Sequence, residues 1–472
     1  MNLSLPRITI AALRGGSGKT IVSLGLVSQA KEMGLRVATF KKGPDFIDAG
    51  WLSFASEAPC HNLDPFLMTK EQILYSFLSN SKNADFSLIE GNRGLFDGVD
   101  LEGTCSTAEL SKILGSHLIL IVDATMVTRT TAALVKGCQS FDPDLNLAGI
   151  IINRVATKRQ EELIRKTIEY YCGIPVVGSI PRLKENPFPE RHMGLVPYHE
   201  SEVARQAIQW ATGLVKDNLD MALIRKIAQN AGPISYPTGD DQSITDWNES
   251  QQGSIRIGVI RDGVFWFYYP ENIKSFERLG ATIVEINSLE DKLLPDIDAL
   301  YIGGGFPETQ ASALAGNEGF RRDLKQKIDQ GLPVYAECGG FMFLGQNLLI
   351  DHEKYPMVGA VPVDFALEKK PQGHGYTLLE SIRENPYYST GEKVKGHEFH
   401  YSRAIVRKKE GLAFVFRVLR GHGIDGDQDG LNIKNLLATY THVHAGGNPS
   451  WPRRLLKVAK AIRFRRRISQ GR

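Results

Sequence analysis

The sequence is poor in the features that mark secreted, membrane-spanning or nucleic-acid-wrapping chains. Its 472 residues hold five cysteines, Cys60, Cys105, Cys138, Cys172 and Cys338, an odd and scattered set without a Cys-x-x-Cys pair. That spacing excludes a disulfide framework or a cysteine zinc site and suits a reducing compartment. No apolar run approaches the roughly 20 residues that cross a bilayer, so no integral membrane segment is expected. Met1–Arg7 passes straight into an apolar stretch without a signal-peptide pattern, and a cytoplasmic location is expected. Neither sign of charge dominates: 56 Lys and Arg stand against 53 Asp and Glu, a net of +3. The basic excess is terminal, since residues 453–472 carry nine Lys or Arg and no acid, which leaves −6 for the remainder. A mildly acidic body is no nucleic-acid surface, and no nucleic-acid partner is expected.

What is present is an ordinary globular composition, 42% apolar, over a length that exceeds one hydrophobic core. Two domains follow. The most informative stretch is Ile8–Thr20, a β-branched run, then Gly15-Gly16-Ser17-Gly18-Lys19-Thr20, then an amphipathic segment Ile21–Ala30. Glycines at this strand-to-helix junction let backbone N–H groups curl around an anion, and the helix N-terminus adds partial positive charge. Lys19 would reach the terminal phosphates of ATP, and the Thr20 hydroxyl would ligate Mg²⁺.

Further apolar runs at Arg36–Phe40, Phe86–Glu90, Leu118–Asp123, Leu147–Asn153 and Ile174–Ile180 alternate with helical-length segments. They predict a doubly wound α/β domain whose parallel sheet is covered on both faces. Ligands of such sheets sit at the carboxyl ends of the strands. Two of those ends are acidic, with Asp45 and Asp48 after one strand and Glu90 and Asp97 after another. Thr20, Asp48 and Glu90 are candidate Mg²⁺ ligands, and Asp45 and Asp97 are candidates for handling substrate. Asp123 and Gly98 read as turn formers.

Residues 231–254, rich in Gly, Pro, Ser, Gln and Asp, predict a linker. A second strand series then begins at Arg256–Ile260 and continues through Thr282–Ile286, Ala299–Ile302 and Pro333–Ala336. The third strand ends in Gly303-Gly304-Gly305-Phe306-Pro307-Glu308, a candidate oxyanion loop, and the fourth in Glu337-Cys338-Gly339-Gly340. A cysteine at so tight a strand-to-helix turn is expected to be exposed and, beside a helix N-terminus, lowered in pKa. Cys105, Cys138 and Cys172 read as buried structural thiols. His442, after the apolar stretch Asn435–Ala438, is the candidate base.

Gly43-Pro44-Asp45-Phe46-Ile47-Asp48, Glu90–Gly98, Ser106–Leu110, Ser140–Pro143, Asn153-Arg154-Val155 and Pro189–His192 occur in the order and spacing of the cobyrinate a,c-diamide synthase family, which the chain resembles. Phe267–Pro270 and Gly396–Ser402 extend the resemblance. It implies a dethiobiotin synthetase-like nucleotide domain (1–230), a linker (231–254), a class I glutamine amidotransferase domain (255–450) and a basic tail (451–472). Asn153 matches a residue that contacts adenine, and His397 and Glu398 join the substrate- or intermediate-handling set. Class I amidotransferases commonly carry Glu two residues after the base; here that position is His444, as befits a family branch lacking the Glu. The implied reaction amidates the a and c acetates of a cobyrinate-type tetrapyrrole through acyl phosphates, with ATP and L-glutamine or ammonia. A homodimer is left open. Trp51 and Arg93 depart from the family pattern and are expected near the substrate face. The rival readings are amidation of hydrogenobyrinate or nickel-sirohydrochlorin, and a nucleotide-switch ATPase of deviant-Walker type, against which Cys338 and His442 speak. In the tail, Leu455, Leu456, Val458, Ala459 and Ile462 could line one side of a basic helix, but a solvated terminus is expected.

Overall fold

The computed structural model describes residues 2–183, 188, 190–191, 194–195, 201–236, 255–407 and 412–469. Pro189 and His192 of the resemblance motif, and residues 237–254 of the expected linker, lie outside them. The chain divides into two compact units between Asp240 and Asp241. No helix among the described residues is long and apolar enough to cross a membrane.

The first unit is built on seven strands, all parallel, in the spatial order His61–Leu63, Val37–Lys42, Phe86–Glu90, Arg7–Ala12, His117–Asp123, Leu147–Val155, Val176–Pro181. Their apolar residues have no wet face: Ile8, Ile10, Leu88, Ile89, Leu118–Val122 and Ile150–Ile152 are all buried. Two-sided burial is why these strands read as runs rather than alternations. The expected strand Arg36–Phe40 continues to Lys42, because Lys41 and Lys42 pair with Asn62 and Leu63. That extension carries the Lys41 side chain into the interior.

The helix Lys19–Glu32 packs against the helix Ser201–Asn218 at Gly25, where a Cβ would lie 2.4 Å from the Ala211 carbonyl. Ile234–Ser235 pairs antiparallel with Asn2–Leu3, and the buried Arg7 donates to the carbonyls of Leu114 (2.7 Å) and Gly232 (2.8 Å). Residues 231–236, the start of the expected linker, therefore belong to this unit.

The second unit holds a ten-stranded sheet. Five parallel strands, Thr282–Ile286, Arg256–Ile260, Ala299–Ile302, Val334–Glu337 and Leu436–Thr439, lie side by side, and an antiparallel extension follows from Gln428–Ile433 to Lys393–His400 and His442–Val443. The expected solvated tail is corrected. Ser450–Ser469 is a helix whose Trp451, Leu455, Leu456 and Ala459 join the hydrophobic core with Phe276, Tyr301 and Tyr335. Trp451 stacks on Tyr335 with ring centroids 4.7 Å apart. Its basic side is tied to acids of the same unit, Arg454 to Glu392 (3.0 Å) and Arg463 to Asp298 (3.1 Å). Apolar burial on one side and ion pairs on the other outweigh the repulsion of the charge run.

Candidate active sites

In the first unit the loop after Arg7–Ala12 turns through Gly16 (φ 68°) and Gly18 (φ 90°), left-handed conformations that favour glycine. A Cβ on Gly18 would also lie 2.8 Å from Asn153 Nδ2. Asn153 donates from Nδ2 to the Ser17 carbonyl (2.9 Å) and accepts the Arg154 N–H at Oδ1 (2.8 Å). Its amide is thus engaged with backbone and buttresses the loop, where the resemblance implied an adenine contact. Lys19 Nζ rests on the carbonyls of Arg93 (2.7 Å) and Arg14 (3.2 Å). Burial lowers its pKa first, and the nearby Lys41 ammonium adds to that.

The acids expected at the strand ends do converge with the loop. Thr20 Oγ1 donates to Glu90 Oε1 (2.8 Å), and Lys41 Nζ bridges Glu90 Oε1 (2.9 Å) and Asp48 Oδ2 (2.6 Å). Burial would neutralise Lys41, but Asp48, Glu90 and Asp45 outweigh it and keep the ammonium charged. Burial pushes Glu90 up, with Lys41 the main opposing influence. Burial and then Asp48 push Asp45 up to about 7, while its Oδ1 accepts the Ile47 and Asp48 N–H groups at the start of the helix Ile47–Ser56. Asp97 accepts the Gly94 N–H (2.9 Å) and closes the turn after Arg93.

The residues fit a divalent cation in one respect: Glu90 Oε2 is a buried carboxylate oxygen with no hydrogen-bond partner. Among the described residues no three His, Cys, Asp or Glu converge as a metal cage would. Asp48 and Glu90 would need the Thr20 hydroxyl and nucleotide oxygens to complete a coordination sphere.

One expectation fails here. Trp51 is buried against Phe188 (ring centroids 5.4 Å) and presents nothing to a substrate, whereas Arg93 is exposed. Asp123 does form a turn, accepting from Thr125 N and Oγ1, but it also holds Arg14 (2.8 Å) and Arg154 (2.7 Å) over the phosphate loop. Arg154 in turn donates to the Gly16 carbonyl (3.0 Å). Burial opposes ionisation of Asp123, yet hydrogen bonds from Thr125, Arg14 and Arg154 hold it well below the usual carboxylate range.

In the second unit Cys338 stands at the strand-to-helix turn in a left-handed conformation (φ 47°, ψ −103°), fixed by its N–H to the Thr439 carbonyl (2.8 Å). Such a backbone costs about 1–3 kcal/mol. The thiol is not exposed: Cys338 is only 4% accessible. Burial pushes it well above the ordinary thiol range, and the carboxylates of Glu308 and Glu337 add to the effect. Desolvation outweighs the dipole of a helix only six residues long, Gly339–Leu344. The expected lowered thiol is corrected accordingly.

His442 lies beside the Gly303–Gly305 loop; a Cβ on Gly304 would come 2.3 Å from its Cε1 and 3.1 Å from its Nε2. His397 stacks on the His442 ring (centroids 4.9 Å, 20°) and meets Tyr269 Oη at Nδ1 (3.2 Å). Burial, then the neighbouring His442, keep His397 neutral. Glu398 is buried and accepts from the His422 backbone, from His422 Nδ1 (3.0 Å) and from the Gly423 N–H (3.2 Å). It holds that loop. Sequence reading missed Lys41, Arg154 and Glu337. Only the lysine pair 41–42 flanking the Gly-Pro-Asp motif and the Glu–Cys dipeptide could have signalled two of them.

Residues 8–196 match the CobQ/CobB/MinD/ParA nucleotide binding domain, and residues 256–450 match the CobB/CobQ-like glutamine amidotransferase domain. Over 451 residues the chain is 39% identical to a protein of Magnetococcus marinus named cobyrinate a,c-diamide synthase, covering 96% of each chain. The protein of the same name from Archaeoglobus fulgidus is 39% identical over 458 residues, 97% of this chain and 98% of that one. The one from Methanobrevibacter smithii is 35% identical over 460 residues, 97% and 99% respectively.

Proposed function

Since the chain belongs to the cobyrinate a,c-diamide synthase family, we propose that it converts the a and c acetate carboxylates of cobyrinate to amides, consuming ATP and glutamine. The observation that supports this reading is that one chain carries residues for both half-reactions: Lys19, Thr20 and Glu90 at a glycine-rich loop, and Cys338 at a strained turn with His442 beside the Gly303–Gly305 loop.

In the amidotransferase unit Cys338 Sγ attacks the side-chain amide carbon of glutamine. A thiol raised by burial does not ionise alone, so His442 accepts its proton as the bond forms and returns it to the departing nitrogen. Ammonia leaves, and water hydrolyses the thioester to glutamate. In the synthetase unit a substrate carboxylate oxygen attacks the γ-phosphorus of ATP, the bond to the bridging oxygen breaks and ADP leaves, which turns oxide into a phosphate leaving group. Ammonia then attacks the acyl carbon and phosphate departs. Lys19 and the loop amides would hold the phosphates. Thr20, Asp48 and Glu90 would hold Mg²⁺, which when bound neutralises phosphate charge. Lys41 holds Asp48 and Glu90 together, its ammonium set between the two carboxyl groups.

The test separates the two chemistries. Cys338→Ala should abolish glutamine-dependent amidation of cobyrinate and leave ammonia-dependent amidation within about threefold of the wild type. Loss of both in a folded variant would defeat the division of labour. Amidation of hydrogenobyrinate or nickel-sirohydrochlorin in place of cobyrinate, assayed alongside, would defeat the choice of substrate.

A further inference from the structure

We propose that Glu337, the residue immediately before the nucleophile, is the carboxylate that orients His442 and stabilises its charged form, completing a Cys338–His442–Glu337 triad. The proposal rests on the reading of Cys338 and His442 as the glutaminase pair and adds its third member. Glu337 Oε2 lies 3.4 Å from His442 Nδ1, and both side chains are at most 2% exposed. The carboxylate cannot swing away. Its Oε1 accepts the N–H of Val443 (3.2 Å), and its Oε2 accepts the hydroxyl of Tyr301 (3.2 Å).

Tyr301 is itself fixed by Asn272, whose Nδ2 donates to the tyrosine oxygen (3.0 Å) and to the Val443 carbonyl (2.8 Å), and whose Oδ1 accepts the Ala445 N–H (2.7 Å). One hydrogen-bonded assembly therefore sets both Glu337 and the backbone that follows His442. The residue two positions beyond the base takes no part in it. His444 faces Glu271 (3.4 Å) and packs on the Tyr269 ring at 4.7 Å.

The chemistry follows from which nitrogen faces what. With the ring proton on Nδ1, the nitrogen 3.4 Å from Glu337, the lone pair of His442 is on Nε2, which lies towards the Gly303–Gly305 loop. When Nε2 takes the proton of Cys338, the sulfur–hydrogen bond breaks, a nitrogen–hydrogen bond forms, and a full positive charge appears on the imidazole. That charge arises in an interior where the stacked His397 is held neutral and Tyr301 is pushed well above its ordinary range, both by burial first. Glu337 is the anion positioned to meet it. A carboxylate fixed before the reaction needs no reorganisation during it.

The experiment uses the full-length enzyme and its Glu337→Gln, Glu337→Asp and His444→Ala variants. Each is assayed for glutamine hydrolysis, for ammonia-dependent amidation, and for the pH profile of Cys338 alkylation by iodoacetamide, with folding followed by circular-dichroism melting. Glutamine in place of glutamate keeps the shape and removes the charge. We expect Glu337→Gln to lower kcat for glutamine hydrolysis about 10²–10³-fold with KM within about threefold. Ammonia-dependent amidation should be unchanged, and the alkaline limb of the alkylation profile should move to lower pH, because the imidazolium loses its counter-charge. Glu337→Asp should restore the limb and part of kcat, and His444→Ala should stay within about threefold of wild type.

Glutamine hydrolysis by Glu337→Gln within threefold of wild type would overturn the proposal. So would a lowered kcat with an unmoved profile, the mark of a purely structural role, or an equal loss in His444→Ala. Should Glu337→Gln fail to melt cooperatively, Glu337→Asp decides, with a roughly tenfold lower kcat expected and a wild-type kcat fatal. A Cys338→Ala or His442→Ala enzyme that still hydrolysed glutamine would instead remove the pair on which the triad is built.

Discussion

Lys41 shows what a single side chain can do to a charged site. Three carboxyl groups and two lysines crowd the mouth of the phosphate loop, and Lys41, fully buried, pairs with two of the acids at once. A buried carboxylate without such a partner would take up a proton and lose its value as a cation ligand. Lys19→Ala, which removes the phosphate-side cation, and Glu90→Gln, which removes the acid bonded to Thr20, should each abolish amidation with glutamine and with ammonia alike. Each is expected to cost about 10²–10³-fold in rate. The ammonia-dependent assay checks this directly, and a near wild-type rate in either variant would displace that residue from the site.

Asp429 provides a pH test at the same scale. It is buried and accepts from Gly430 N (2.6 Å) and Thr441 Oγ1 (3.3 Å), and burial pushes it up to about 6. An acid whose folded-state value lies above its unfolded one holds its proton more tightly in the fold. Its contribution therefore favours folding most at low pH and is lost as pH rises through about 4 to about 6. Asp429→Asn should flatten that part of the stability–pH curve by roughly 3 kcal/mol, read by urea unfolding of wild type and variant between pH 4 and pH 8.

Among the elements, the C-terminal helix Ser450–Ser469 changes meaning most between sequence and structure. Its charge count suggested a tail, but its first three turns close the aromatic core beneath the strand that carries Glu337. Trp451 touches Tyr335, Tyr301 and Phe276 with ring centroids 4.7, 5.2 and 5.4 Å away. Tyr301 is the residue that holds Glu337, so the helix lies one contact behind the proposed triad. Trp451→Ala should destabilise the second unit by about 3–5 kcal/mol, measured by denaturant unfolding. Glutamine hydrolysis should fall at temperatures where ammonia-dependent amidation survives. A variant as stable as wild type would show that the helix is dispensable after all.

At the scale of the whole molecule, two α/β units each bring the carboxyl ends of parallel strands to a glycine-rich turn, one at Gly15–Gly18 and one around Cys338. Much of this was legible in the chain. The strands Phe86–Glu90, Arg256–Ile260 and Ala299–Ile302 have the bounds their apolar runs predict, because two-sided burial leaves a continuous local signature. The phosphate loop and the cysteine turn were equally readable, since glycine spacing dictates local backbone geometry. The order of motifs along the chain determined the family. Tertiary structure decided what no local pattern encodes: that Cys338 is buried and its thiol raised, that Lys41 bridges Asp48 and Glu90, that Glu398 holds a loop, and that Glu337 meets His442. It also decided that a basic terminus is a core helix. Desolvation and charge pairing depend on neighbours brought together from distant parts of the chain, so they exist only once the chain has folded.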